Sequence, residues 1–292
     1  MSASPAEEWA KARSFHHSHF PPERIAAARQ QRVAVCLPAR ECAQTIGPIV
    51  SALVTLREQG VLDEIVVVDA ASGDGTAVVA ERAGARVLQE AALMPAMGPV
   101  LGKGDAMWRA LSVLDSELVC FLDADTEDFS PRFASGLIGP LVCEPDVAFV
   151  KAFYQRPFVY GGVEVPAGGG RVNHLTARPA LALFYPELAG VLQPLAGEVA
   201  ATRELLCAIP FATGYGVEVA MLIDVWRELG LDGIAQVDLE EHRNRHQPLS
   251  ALTPMATTVL ATIARRLERE GRMQPVGGGP VERPPLASAA VA

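Results

Sequence analysis

The sequence predicts an α/β fold with a doubly wound, mainly parallel sheet, and two observations carry this prediction. Short apolar runs rich in Val, Leu and Ile alternate with longer stretches in which apolar residues recur every three or four positions. Polar side chains follow these runs, at the edge where such sheets bind ligands. The predicted strands are residues 33–37, 64–69, 86–89 and 117–123, and the predicted helices are residues 45–59, 77–83 and 103–114.

The second half of the chain has a less regular pattern. We predict strands at residues 147–153 and 234–239, a loop at 160–170, two proline-punctuated helical pieces within 175–192 and an amphipathic helix at 217–229. The last segment, residues 273–292, contains four Pro and three consecutive Gly without an apolar period. This composition predicts a disordered tail.

Composition limits the classes of function. The chain has 292 residues, of which 50% are hydrophobic, so it can bury a sizeable core. A net charge of −9 argues against a nucleic-acid partner. No apolar run approaches the roughly 20 residues of a membrane span, and the N-terminus lacks the apolar core of a secretory signal. Five cysteines without CxxC spacing fit a reducing compartment. We therefore expect a cytoplasmic protein without a nucleic-acid or membrane partner.

The most informative segment places two acids, Asp123 and Asp125, directly after a buried apolar strand. Alternate side chains of an extended chain share a face, so both carboxylates can point into one cleft. Such a pair suits a hard divalent ion such as Mg²⁺ that is also bound to a substrate diphosphate. The alternative is that the acids merely cap the following turn.

Other polar residues also stand at predicted strand exits. Gly102-Lys103-Gly104 opens a helix, where Lys103 adds positive charge beside free N–H groups; the alternative is an ordinary surface lysine. The motif lacks the spacing of a phosphate-binding Walker A loop. Pro38, Ala39 and Glu41 follow the first strand, and Asp69 and Ser72 follow the second.

These motifs occur in the order found in nucleotide-sugar glycosyltransferases with the GT-A fold. Further stretches narrow the likeness, among them Gly168-Gly169-Gly170-Arg171, Gly214-Tyr215-Gly216-Val217-Glu218 and His242-Arg243-Asn244-Arg245. Together they resemble the family of glucosyl-3-phosphoglycerate and mannosyl-3-phosphoglycerate synthases. The resemblance runs from about residue 13 to about residue 266, so it extends well beyond the nucleotide-binding half.

The resemblance implies a Rossmann-like GT-A fold with an acceptor-binding C-terminal half. The implied activity is retaining transfer of a hexose from UDP-glucose or GDP-mannose to the 2-hydroxyl of 3-phosphoglycerate, with Mg²⁺ or Mn²⁺, by a homodimer. The corresponding organisation is an N-terminal helical lead (1–30), a nucleotide-sugar-binding half (31–150), an acceptor-binding half (151–272) and the tail (273–292).

The resemblance also assigns residues to roles. Glu218 would orient the sugar or act as a nucleophile; the alternative is a structural glutamate paired with an arginine. The implied metal ligands are Asp125 and His242, the catalytic residues Asp125 and Glu218, the nucleotide-sugar contacts Pro38, Ala39, Glu41, Asp69, Ser72, Lys103, Asp123 and Asp125, and the acceptor contacts Gly170, Arg171, Asn173 and Asn244.

Two positions depart from the family pattern. Cys42 stands where relatives carry an acid, with Glu41 one residue earlier, which leaves the choice between uridine and guanosine open. Asn173 stands where a threonine is expected. Two other functions remain as alternatives: a sugar-phosphate nucleotidyltransferase, and a nucleotide-sugar-binding regulator without catalysis.

Overall fold

The structure is a computed structural model that describes residues 4–160, 163–165, 168–243, 248–274 and 281–288. These residues form strands β1 (Ser14–His16), β2 (Val33–Ala39), β3 (Glu64–Asp69), β4 (Arg86–Gln89), β5 (Leu118–Phe121), β6 (Phe149–Gln155), β7 (Phe158–Tyr160), β8 (Val163–Val165), β9 (Val199–Thr202), β10 (Phe211–Ala212), β11 (Ile234–Glu241) and β12 (Glu282–Arg283). The α-helices are α1 (Pro5–Arg13), α2 (Pro22–Ala28), α3 (Ala43–Glu58), α4 (Thr76–Ala83), α5 (Lys103–Ala110), α6 (Arg132–Cys143), α7 (Arg178–Phe184), α8 (Arg203–Ala208), α9 (Val217–Leu229) and α10 (Leu249–Arg269).

An eight-stranded sheet organises the molecule, with the order β1-β11-β6-β9-β5-β2-β3-β4. Neighbouring strands are parallel except where β9 runs antiparallel to both β5 and β6. The predicted mainly parallel sheet is confirmed. Because β9 is reversed, its amino end lies at the same edge as the carboxyl ends of β5, β6 and β11. That edge carries the residues of the candidate site.

Both faces of the sheet are buried, as a doubly wound fold requires. On β2, Ala34 and Cys36 pack into the core on one face, whereas Val33, Val35 and Leu37 pack into the core on the other. All five side chains are fully buried. Burial of a Val or Leu side chain is worth about 1.5–3 kcal/mol, so the alternation of this strand stabilises both layers at once.

Several element bounds differ from the sequence prediction. Strand β5, predicted at residues 117–123, ends at Phe121. Helix α5, predicted at residues 103–114, ends at Ala110. The loop predicted at 160–170 is wrong in part, because β7 and β8 pair as an antiparallel hairpin there. The pairing joins two short segments that are close in sequence, which an apolar-period criterion does not detect.

The predicted disordered tail is wrong for residues 281–288. Strand β12 pairs with β10, and Arg283 is only 8% exposed. The physical reason is the fully buried carboxylate of Asp105, which Arg283 contacts through two nitrogens at 2.8 and 2.9 Å. A buried acid requires such a partner, so this part of the C-terminal segment is anchored to α5.

Candidate active site

Three charged side chains from three elements meet at the carboxyl edge of the sheet. Lys103 is the first residue of α5, Asp123 follows β5 by two residues, and Glu218 lies in the first turn of α9. The Lys103 Nζ atom lies 2.5 Å from Asp123 Oδ1 and 3.2 Å from Glu218 Oε1. Burial lowers the pKa of Lys103, but the two carboxylates outweigh this effect and raise it overall. Lys103 is therefore a fixed cation at neutral pH.

Close backbone packing brings α5 to the start of α9. A Cβ atom on Gly104 would overlap the carbonyl oxygen of Ala212 in β10, so only glycine lets the helix lie directly on this strand. Gly102, which precedes α5, has a φ of +95°, a conformation that favours glycine. The two glycines beside Lys103 thus allow its side chain to reach Glu218, which lies six residues after the end of β10.

A second cluster surrounds His242, just beyond the end of β11. Its Nε2 atom lies 2.9 Å from Glu198 Oε1, and the hydroxyl of Tyr154 donates a 2.9 Å hydrogen bond to Glu198 Oε2. The rings of Tyr154 and His242 stack with centroids 4.5 Å apart. Burial lowers the pKa of His242, but Glu198 outweighs it and raises that pKa overall. Burial likewise opposes ionisation of Glu198, yet His242 and Lys103 outweigh it and lower the pKa of Glu198 overall.

The chain that follows Asp125 contacts this second cluster. The hydroxyl of its neighbour Thr126 is 3.3 Å from His242 Nε2, and the Glu127 N–H donates to the Arg243 carbonyl oxygen at 3.3 Å. The segment after β5 is therefore joined to the segment after β11. The Asp125 side chain is exposed at the surface. Partial desolvation by the surrounding protein, and then the charge of Asp123, raise its pKa. The two predicted metal ligands, Asp125 and His242, thus stand at one edge of the sheet.

The residues at this edge fit a divalent cation. Nε2 of His242 faces Glu198, and the buried Nδ1 has no hydrogen-bond partner within the described ranges. This is the arrangement of a carboxylate-supported histidine whose second nitrogen is available to a metal. Asp125 adds an exposed carboxylate whose raised pKa a cation would lower again. The described side chains here do not form a closed three-ligand cage, so oxygens of a bound diphosphate would complete the coordination.

Replacing Glu198 with glutamine is expected to weaken Mn²⁺ binding about 10- to 100-fold, because the carboxylate orients His242 and increases its basicity. Glutamine keeps the volume and the contact with Tyr154, so the fold should be retained. The measurement is Mn²⁺ affinity by electron paramagnetic resonance, with Glu204→Gln, an exposed glutamate of α8, as the control. Equal affinities in the two variants would refute the positioning role.

Gly197 lies against the Lys103–Asp123 ion pair. A Cβ atom at this position would lie 2.5 Å from Lys103 Nζ and 2.5 Å from Asp123 Oδ2, which is closer than real Cβ contacts. The absence of a side chain at Gly197 therefore permits the pair to form beside Glu198, the next residue.

Gly197→Ala should consequently lower kcat by about 10²-fold, since a displacement of about 1 Å near reacting groups has effects of that size. Gly47→Ala is the control, because its methyl group would meet only the Val79 side chain at 3.1 Å. The measurement is kcat of both variants by steady-state kinetics, with circular dichroism to verify that each variant is folded. An unchanged kcat in a folded Gly197→Ala enzyme would contradict the proposed role of the ion pair.

The residues predicted to bind the nucleotide are brought together by hydrogen bonds at the ends of β2 and β3. Ala39 pairs with Asp69 in the sheet, and Ser72 Oγ accepts from the Glu41 N–H at 2.9 Å. Asp69 is buried and accepts from the Ser72 N–H at 3.1 Å, while its Oδ1 has no partner in the described part of the chain. That buried oxygen is available to a ligand. Pro38 precedes Ala39 at the end of β2.

The departure at Cys42 has a structural explanation. Cys42 is buried in the core and Glu41 is exposed, so the two neighbours face opposite ways. Burial raises the pKa of the Cys42 thiol to about 11, which leaves it uncharged. Glu41, whose Oε1 accepts from the Gly73 N–H at 2.8 Å, is the exposed acid of this loop.

The predicted acceptor residues are only partly brought to the site. Gly170 has a φ of +68° and lies before Arg171, at the start of a helical segment. Asn173 is buried, and its amide bonds to the backbone of Leu192 and Leu195, so its contact with an acceptor stays a prediction. Asn244 lies outside the described residues.

Sequence reasoning missed four residues of the site: Tyr154, Arg156, Gly197 and Glu198. Arg156 borders the glycine loop, since its carbonyl oxygen accepts from the Gly169 N–H at 2.9 Å, and its buried Nε lacks a partner among the described residues. The one sequence signal was Glu198, a lone acid directly before the apolar run 199–201. In β9 the acid comes before the apolar strand, whereas in β5 the two acids come after it.

The fold and the site define a glycosyltransferase. Residues 34–159 match the family Glycosyl transferase family 2. A mannosyl-3-phosphoglycerate synthase structure from Rubrobacter xylanophilus superposes with a TM-score of 0.89 at 46% identity, covering 97% of each chain. A glucosyl-3-phosphoglycerate synthase structure from Mycobacterium tuberculosis, in complex with Mn²⁺, UDP-glucose and phosphoglyceric acid, has a TM-score of 0.83 at 38% identity and covers 94% of this chain and 98% of that one. The predicted GT-A architecture is thereby confirmed.

The chain belongs to the glucosyl-3-phosphoglycerate synthase family. The glucosyl-3-phosphoglycerate synthase of Petrotoga mobilis is 41% identical over 267 residues, which span 89% of this chain and 82% of the relative. That of Mycolicibacterium smegmatis is 45% identical over 241 residues, spanning 82% and 79%. The identity extends well beyond residues 31–150, so the resemblance seen in the sequence motifs is confirmed.

Proposed function

We propose that the protein transfers a hexose from a nucleoside diphosphate sugar to the 2-hydroxyl of 3-phosphoglycerate, with retention at the anomeric carbon. The bond between the anomeric carbon and the diphosphate oxygen breaks, a bond to the acceptor oxygen forms, and the hydroxyl proton passes to the leaving diphosphate. The observation that supports the proposal is that the segment after β5, which carries Asp123 and Asp125, contacts His242 through Thr126 and Lys103 through Asp123 at one sheet edge.

The donor occupies the half formed by residues 31–150 in this proposal. Asp69, Ser72 and Glu41 bind the base and ribose, with Pro38 and Ala39 lining the pocket. Asp125 and His242 hold Mg²⁺ or Mn²⁺, which stabilises the charge of the leaving diphosphate. Asp123 contacts the ribose or supports the metal site.

Glu218 orients the sugar hydroxyls rather than attacking the anomeric carbon. Its Oε1 lies 3.2 Å from Lys103 Nζ, so an ammonium group already shares its negative charge. That pairing fixes the carboxylate and reduces its nucleophilicity. Lys103 adds positive charge on the diphosphate side, where negative charge develops as the bond breaks.

The acceptor, which carries a carboxylate and a phosphate, requires donors. The half formed by residues 151–272 offers hydrogen-bond donors around Gly168-Gly169-Gly170. These donors are the backbone N–H groups around Gly170 and the guanidinium groups of Arg171 and Arg156. A guanidinium binds phosphate through two parallel hydrogen bonds. Asn173 and Asn244 are further acceptor contacts in this proposal.

The test is a donor panel that includes UDP-glucose and GDP-mannose, with 3-phosphoglycerate as acceptor and Mg²⁺ or Mn²⁺ present. Release of nucleoside diphosphate that requires both acceptor and metal supports the proposal. Donor binding without turnover would instead indicate a regulator, and pyrophosphate release from a nucleoside triphosphate would indicate a nucleotidyltransferase. The panel also decides between the two donors, which no residue described above distinguishes.

We further propose a cytoplasmic homodimer. All five cysteines are free thiols, as expected in a reducing compartment. No helix in the described part of the chain is long and apolar enough to cross a membrane. Light scattering during gel filtration measures the oligomeric state directly; a monomeric mass would contradict the proposed dimer.

A further inference from the structure

Outside the candidate active site, one cluster of side chains has the geometry of metal ligands. Within the described residues, a single set of three His, Cys, Asp or Glu has ligand atoms that all lie within 4.8 Å of one another: His16, His17 and Glu240. His16 ends β1, His17 follows it, and Glu240 lies near the end of the neighbouring strand β11. We propose that these three residues bind a zinc-type divalent cation.

The distances fit such an ion. Nε2 of His17 lies 3.1 Å from Glu240 Oε1, and Nε2 of His16 lies 3.6 Å from the same oxygen. Ligands about 2.0–2.1 Å from a tetrahedral zinc ion stand about 3.3 Å apart. Two imidazoles and one carboxylate are also a ligand set that Zn²⁺ commonly has at sites with an open fourth position.

The Nε2 atoms of both imidazoles face the same carboxylate oxygen of Glu240. The His17 Nε2 is buried and, despite its closeness to Glu240, makes no hydrogen bond to any described residue. His16 Nδ1 accepts from the Ser18 N–H at 3.3 Å and lies 2.7 Å from the Ser18 hydroxyl, so the proton of the neutral ring is on Nε2 and would pass to solvent when the ion binds.

The backbone of β11 turns Glu240 toward the histidines. The pairing with β6 shifts register between Asp238 and Glu241, and Glu240 has a φ of +67°, which is uncommon for a residue other than glycine. Such bulges re-aim a side chain. The neighbouring cation, Arg132, is 3.7 Å from the other carboxylate oxygen and donates to the carbonyl oxygens of Leu239 and Glu241. Oε1 therefore stays available to the ion.

The inferred ion would join the N-terminal lead to β11 two residues before His242. It is distinct from the ion at the active site, because it uses none of the same ligands. Zinc binds well to imidazole nitrogens, whereas Mg²⁺ and Mn²⁺ prefer oxygen ligands. The inference does not depend on the proposed glycosyl transfer.

The experiment is calorimetric titration of metal-free full-length protein with zinc chloride, in the absence of nucleotide. Asp125→Ala serves as the background that impairs the active-site metal position, and His16→Ala and Glu240→Gln are added to it separately. His19→Ala, in the same tract but outside the three-residue set, is the matched control. His16 and Glu240 are partly or largely exposed, so their substitution should preserve the fold, which circular dichroism verifies.

We expect Asp125→Ala and Asp125→Ala/His19→Ala to bind one zinc ion with equal affinity. Adding His16→Ala or Glu240→Gln should weaken that binding at least ~10-fold, since even indirect partners of metal ligands change affinity by about 10- to 100-fold. Absence of a zinc site in Asp125→Ala would overturn the inference. So would unchanged affinity in the folded His16→Ala and Glu240→Gln variants.

Discussion

Asp125→Ala is expected to lower kcat/KM for hexose transfer about 10³-fold or more. Asp125 is the exposed carboxylate at the site edge, and a cation that stabilises a departing diphosphate is worth several kcal/mol. We do not expect Asp123 to replace it, because Lys103 Nζ already pairs with Asp123 Oδ1 at 2.5 Å. The measurement is nucleoside diphosphate release at saturating 3-phosphoglycerate over a range of Mn²⁺ concentrations.

The matched control is Asp115→Ala, which removes an exposed aspartate three residues before the amino end of β5. It changes the net charge equally but leaves the site edge intact, so its kcat/KM should equal that of the unmodified enzyme. If Asp125→Ala retained full activity at limiting Mn²⁺, the assignment of this carboxylate to the metal would be wrong.

The second large effect concerns stability. Asp105 is fully buried between two guanidiniums, those of Arg109 and Arg283. Asp105→Ala would leave both cations without their acid, and breaking a buried ion pair in this way costs about 3–5 kcal/mol. Urea unfolding at pH 7 measures the loss. Asp146→Ala, an exposed acid, is the control and should change the free energy of unfolding by less than about 0.5 kcal/mol.

The contribution of Asp105 also has a defined pH dependence. Burial alone would raise its pKa, but hydrogen bonds from Arg283, the Leu101 N–H and Arg109 hold it below the usual 3.8. The stabilisation is therefore complete above that pH and is lost as the pH falls through the lowered pKa. The difference in unfolding free energy between the unmodified chain and Asp105→Ala should shrink in strong acid. A difference that stays constant down to unfolding would contradict the ionised pairing.

Local patterns were sufficient for elements whose burial follows a regular sequence period. Strands β3 and β4 and helix α9 begin and end where the apolar runs and the helical period predicted. Such elements are buried on one or both faces, so burial and sequence period coincide. The paired acids after β5 were equally visible, because a charged pair directly after a buried strand is itself a local signal.

The remaining features depend on contacts between distant parts of the chain. Strand β9 has four residues and is inserted antiparallel between β5 and β6, and no period in so short a segment predicts that pairing. The role of Glu198 follows only from this placement, which brings it to Tyr154 and His242. Arg283 meets Asp105 across 178 positions of sequence, so composition alone suggested disorder where a buried ion pair exists.

The central claim is that Asp125 and His242 hold one divalent cation against the donor diphosphate. Crystals grown with Mn²⁺ and a nucleoside diphosphate, measured at the manganese absorption edge, test it most directly. We predict an anomalous peak within bonding distance of an Asp125 carboxylate oxygen, a His242 ring nitrogen and the diphosphate. A manganese ion bound to the diphosphate without His242, or one located away from Asp125, would contradict it.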